Sequence, residues 1–314
     1  MKKFIIFLLA CCMLVLVCTY IFIPGKLIIS KIEYVNCNAN GAFRILSDQS
    51  AWEKWWLNKD SLKNTLVENH FFYNGYKYHL TNKFYNSVEV SIKDKNTSVM
   101  SRINIIRINP DSVILEWKCT LFASINPVAR ILNYRKAESI KSNMTFIFYK
   151  LRLFLENKKN IYGVNFHVSM SKDSTMVAIK RMQISYPSTS DIYKLIGSLK
   201  DYIKNEGAQE NNFPMLNVRK LKDGKFETMV AIPVNKQLAG NGKIFFSRFV
   251  PWKVLGGEVK GGTYAINEAL HQMEIYIADY QKTAMAIPFQ SLVTNRTEEP
   301  DTLKWITRIY TPVP

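Results

Sequence analysis

Between Phe4 and Ile23 almost every position is apolar, and no charge falls between Lys3 and Lys26. About 20 such residues at ~1.5 Å rise each match the hydrocarbon core of a bilayer. The run predicts a transmembrane helix closed by Pro24-Gly25. Beyond it the period changes. Leu27 to Tyr34 sets Ile28, Ile32 and Tyr34 on a repeating face, which predicts a strand. Asn38 can cap a short helix through Leu46, because its side-chain oxygen satisfies a free helical N–H. Strand-like runs follow at Phe71 to Leu80, Phe84 to Lys93, Ser98 to Asn109 and Ser112 to Phe122. Asn74-Gly75 and Asn109-Pro110-Asp111 supply turns between them. From Ser139 to Glu156, Met144, Phe148, Leu151 and Leu155 recur at helical spacing and predict a long amphipathic helix.

The second half shows a pattern that occurs twice. Val164 to Ser171 and Thr175 to Ser185 are strand-like, and Ser190 or Asp191 can cap a helix to Asn205. Ile192, Leu195, Ile196, Leu199 and Ile203 give that helix one apolar face, and Gly207 suits its end. Phe213 to Leu221 and Phe226 to Pro233 are strands around Asp223-Gly224. Then come extended segments at Phe245 to Leu255 and Glu258 to Val259, and a helix from Ala265 to Tyr280 after Gly261-Gly262. Strands at Phe289 to Thr294 and Lys304 to Tyr310 complete the set. Strand–helix–strand–strand thus occurs twice, roughly 80 residues apart. The class is α+β, with a membrane anchor over 1–26 and domains over 27–159 and 160–314.

Composition narrows the functions. Hydrophobic residues make up 47% of the 314 and charged residues 21%, enough apolar material for two packed cores. The formal net charge of +17 raises nucleic acid as a partner. No helix-turn-helix, zinc-finger or aromatic RNA-binding pattern accompanies it, so the expectation is no nucleic acid. Three of the five cysteines (Cys11, Cys12 and Cys18) lie in the apolar N-terminus. Cys37 and Cys119 remain for the body, as buried thiols or one bridge. The histidines His70, His79, His167 and His271 are far apart, so no metal set is expected. No catalytic motif and no cofactor site stands out. Lys2 and Lys3 orient an uncleaved signal anchor with the N-terminus in the cytoplasm and the body outside it. Leu8-Leu9-Ala10-Cys11 weakly resembles a lipoprotein signal, but the apolar run continues past Cys11.

Two family resemblances follow from these motifs. Strand, short helices, antiparallel strands and a long helix, with Asp48, Trp52, Trp55 and Trp56 in a D-x-x-x-W-x-x-W-W element, resemble a START-like polyketide-cyclase (SRPBCC) domain. That likeness implies a sheet curled around the long helix. The order Gly261-Gly262-Thr263-Tyr264, helix, Ile287-Pro288-Phe289-Gln290-Ser291-Leu292 and Trp305 to Pro312 resembles the second half of a GyrI-like effector-binding domain, strongest from Val250 onward. This likeness implies a ligand groove between two halves, walled here by Trp252, Tyr264, Phe289 and Trp305. It also places Gln290 where the family carries a glutamate. An amide neither holds a cation as a carboxylate does nor acts as a base. The reading is a membrane-tethered, non-catalytic protein that binds an apolar or amphipathic small molecule. A hydrolase or cyclase, with Glu258 beside Tyr264 in a closed cavity, is one alternative. An envelope interaction protein is another.

Overall fold

The computed structural model describes residues 2–56, 71–95, 97–171, 174–249 and 251–314, so His70 and Val250 lie outside the described residues. The chain divides into two units, Met1–Asn157 and Lys158–Pro314, each with its own antiparallel sheet.

The first unit runs α1 (Lys2–Phe22), β1 (Lys26–Val35), α2 (Ala39–Ser47), a 3-10 turn (Gln49–Lys54), β2 (Phe71–Tyr73), β3 (Tyr76–Lys83), β4 (Ser87–Lys93), β5 (Ser98–Asn109), β6 (Ser112–Phe122) and α3 (Pro127–Leu155). Its strands lie in the order β1-β6-β5-β4-β3-β2. The β2–β3 turn is Asn74-Gly75, with φ of 47° and 79°, as the hairpin signal requires. Asn38 caps α2 by accepting the N–H of Asn40.

Helix α3 starts well before Ser139. Asn126 accepts the N–H groups of Val128 and Ala129, and Pro127 fills the first helical position, where no N–H is needed. Val128 and Leu132 on the added turns are exposed, so no apolar period marks them. Further along, Ile140, Met144, Ile147, Phe148 and Leu151 are buried, and Phe148 meets Trp117 at a ring separation of 5.2 Å. The three clustered tryptophans belong to this core. Trp52 and Trp56 stack at 5.6 Å and 7°, and their Nε1 groups donate to the carbonyls of Leu46 and Phe72, each at 3.0 Å. Cys37 and Cys119 are buried free thiols. Burial pushes each pKa up to about 12, with Glu156 adding to the shift at Cys37.

The apolar N-terminus is helical, but among the described residues no helix is long and apolar enough to cross a membrane. The expected span is therefore not supported.

The second unit runs α4 (Lys158–Tyr162), β7 (His167–Met170), β8 (Ser174–Gln183), α5 (Thr189–Asn205), β9 (Met215–Lys220), β10 (Phe226–Val234), β11 (Ile244–Phe249), β12 (Lys253–Lys260), α6 (Thr263–Asp279), β13 (Phe289–Leu292) and β14 (Ile306–Pro312). Ser188, rather than Ser190 or Asp191, caps α5. Its hydroxyl accepts the N–H of Asp191, whose carboxylate accepts the N–H of Ser188.

The strand order is β11-β8-β10-β9-β13-β14-β12-β7. The duplicated unit appears as β8-α5-β9-β10 and β12-α6-β13-β14, joined at the β9–β13 pair. Each copy also has a leading strand, and these are exchanged: β7 pairs with β12, and β11 pairs with β8.

Trp52→Ala should destabilise the first unit by about 3–5 kcal/mol, the usual loss for a buried Trp. Cys37 and Cys119 report on that unit alone. With Cys11, Cys12 and Cys18 changed to serine, their reaction with a thiol reagent should move to lower urea in the variant. An unchanged midpoint would place Trp52 outside the core.

Candidate functional site

Period-two alternation gives the eight-stranded sheet two unlike faces. On one, Val177, Leu216, Val230, Ile232 and Leu292 pack on Ile192, Leu195 and Leu199 of α5. On the same side Leu255, Val259 and Ile309 pack on Ile266, Ala269 and Met273 of α6. The other face gathers Met176, Ala178, Ala231, Met215, Met229 and Phe245, all strand residues.

A cavity of about 440 Å³ opens on this second face. Phe289 and Tyr310 are cross-strand partners and stack there at 5.2 Å and 28°. Met170, Phe213, Met215 and Val254 add apolar surface. Ser169, Ser171, Asn211, Asn212, Ser291 and Arg308 supply the polar lining. A second hollow of about 210 Å³ shares Met215 and Phe289 and continues along Met176, Met229, Ala231 and Ile287. Tyr310 can lie flat because its register partner is Gly256. A Cβ there would stand 2.8 Å from Cε1 of the ring.

Of the five residues singled out in the sequence, Phe289 lines this cavity. Gln290 faces the other way, 6% exposed, with Leu216 and Ile309 as register partners. Trp252 is 42% exposed beside the mouth, where its N–H donates to the Ser171 hydroxyl and its carbonyl accepts the Ser171 N–H, both at 2.8 Å. Tyr264 is 85% exposed in the first turn of α6. Trp305 is buried against other partners. Its Nε1 donates to the Glu299 carbonyl at 2.8 Å, and the Arg296 guanidinium lies 4.8 Å from its ring. Burial lowers the Arg296 pKa.

The structure therefore does not gather the five into one wall. It brings Phe289 together with Ser291, Arg308 and Tyr310, which sequence reasoning passed over. The signal for them was the alternation itself, because Ser291 shares a face with Phe289, and Arg308 with Tyr310. Glu258 is not enclosed with Tyr264. It lies opposite Arg308, with Oε2 3.1 Å from Nε, and its side chain is 56% exposed.

No protein-family model matches the chain, and no curated protein matches it. Solved structures do. The crystal structure of the EcmrR C-terminal domain is 17% identical, covering 48% of this chain and 98% of that one, with a TM-score of 0.42. SAV2435 bound to tetraphenylphosphonium is 19% identical, covering 48% and 94%, with a TM-score of 0.33. A START superfamily protein from Mycobacterium smegmatis is 14% identical, covering 37% and 95%, with a TM-score of 0.24. At weak likeness these neighbours include both kinds of protein that the sequence resembles, GyrI-like effector-binding and START.

Gln290→Glu puts a carboxylate into the helix-facing layer. It should destabilise the second unit by about 3 kcal/mol or more at pH 7. Burial raises a carboxyl pKa, so the native state holds the proton more tightly than the unfolded chain, and the loss should vanish below about pH 4. Urea unfolding at pH 7 and pH 3.5 checks both signs. Gly256→Val should drive the Tyr310 ring off its seat. Tyr310 displacement in a crystal structure of the variant is the readout.

Proposed function

We propose that the chain is a membrane-tethered, non-catalytic small-molecule-binding protein whose ligand occupies the second face of the eight-stranded sheet. One observation carries this reading: a cavity of about 440 Å³ in which aromatic and methionine walls alternate with the polar side chains of Ser169, Ser171, Asn211, Asn212, Ser291 and Arg308. Its size is that of ligand sites, in which apolar walls give affinity and polar groups fix orientation. Phe289 and Tyr310 offer a flat stacked surface suited to apolar ligand parts. Hydrolysis is disfavoured, because no carboxylate stands among the described lining residues and Glu258 is engaged outside by Arg308.

The tether is α1. Phe4, Phe7, Met13, Leu14, Ile21 and Phe22 are exposed on it, apolar surface that water penalises and lipid accepts. Arg130 fastens its end by donating from Nε to the Ile23 carbonyl at 2.8 Å. The two leading lysines, Lys2 and Lys3, support a body outside the cytoplasm, because positive charge flanking a span stays on the cytoplasmic side.

Two measurements test this. The purified chain, extracted with organic solvent and analysed by mass spectrometry, should release an apolar or amphipathic compound, and compounds of that kind should raise its melting temperature. An empty extract with no shift across an amphiphile panel would remove the binding role. Deleting residues 2–26 should move the protein from the membrane to the soluble fraction. Continued sedimentation with membranes would remove α1 as the tether.

A further inference from the structure

Resting on the binding role just proposed, we infer that the ligand is an anionic amphiphile, with its acidic head at Arg308 and its apolar body along the Met215–Phe289 floor. The chemistry along the groove is graded. At one end Arg308 stands beside its register partner Ser291, a cation next to a hydroxyl. At the other, Met176, Met229, Ala231 and Ile287 line the smaller hollow. Met215 and Phe289 belong to both, so one molecule can span them.

Charge sets the sign of the head. Neither lining contains an Asp or Glu among the described residues, and the arginine Arg308 lines the larger. An organic cation entering here would meet the Arg308 charge, and the nearest carboxylate, Glu258, is already paired with that arginine. Arg308 is already held from outside. Its Nε contacts Glu258, while its two Nη groups make no hydrogen bond to a described residue. A guanidinium carries five N–H donors, so a carboxylate or sulfate can dock on the Nη edge. Such charge-assisted bonds are roughly twice as strong as neutral ones. The exposed pair with Glu258 is a weak competitor, as surface ion pairs are.

The test titrates the full chain in neutral-lipid nanodiscs with octanoate, octanol and octyltrimethylammonium, using empty discs as reference. Octanoate should bind at least tenfold more tightly than octanol, and octyltrimethylammonium more weakly than either. Because a chain of net charge +17 attracts anions everywhere, the preference must be local. Arg308→Gln should cut the octanoate-to-octanol ratio to within about twofold of unity, whereas Lys222→Gln, in the β9–β10 turn, removes the same charge and should keep the ratio. Glu258→Gln, which frees Arg308, should tighten octanoate binding two- to fivefold. It reads the same site if the arginine variant fails to fold. The inference is overturned by equal binding of octanoate and octanol, by a preference that survives Arg308→Gln, or by weaker octanoate binding in Glu258→Gln. In those outcomes octanol still binds and the binding role stands. If none of the three compounds binds, the binding role falls as well.

Discussion

The second unit depends on an exchange of strands. Each copy of the duplicated motif contributes its leading strand to the other, so that β7 completes the edge beside β12 and β11 completes the edge beside β8. With the β9–β13 pair at the centre, the two copies share a single sheet rather than packing as two lobes. Both helices lie on one face of that sheet, and the opposite face stays continuous across the centre. The cavity forms there from residues of both copies: Ser169 and Met170 of β7 and Met215 of β9 meet Phe289 of β13 and Tyr310 of β14.

Adjacent glycines in β12 let that strand serve both faces. A Cβ at Gly256 would meet the Tyr310 ring, and a Cβ at Gly257 would come within 2.7 Å of Val164 and 3.0 Å of Phe166. Successive residues of a strand point to opposite sides. One glycine therefore admits the aromatic floor of the cavity, and the next admits the core under α6. Neither residue has a positive φ, so close approach is the reason for both.

Much of this organisation was legible along the chain. Period two marked the strands, period 3.6 marked α5 and the later turns of α3, and Asn38 and Asn74-Gly75 act as their chemistry requires. Other features were hidden for physical reasons. The first turns of α3 are exposed, so only Asn126-Pro127 announces them. The cap of α5 is a reciprocal pair, Ser188 with Asp191, and either partner alone is ambiguous. The site was half legible. Phe289 was recognisable as an aromatic at strand spacing, but the resemblance drew attention to Gln290, one position along and therefore on the opposite face. Trp305 looked like a flat ligand wall, and Arg296 already occupies that wall. Which strands neighbour β13 decides what lies beside Phe289, and no local pattern encodes it.

The exchanged strands also set an order of events during synthesis. Met170 and its partner Lys253 are separated by most of the unit, so β7 leaves the ribosome long before its partner exists. At ~5–20 residues per second the wait is on the order of five to fifteen seconds. Through that time β8 also lacks its outer neighbour, and two strands with open hydrogen-bonding edges stand ready to pair with another chain. Pairing over so long a stretch of sequence is slow to nucleate. Neither copy of the motif can therefore complete its own sheet, and the unit closes only once the last third of the chain has been made.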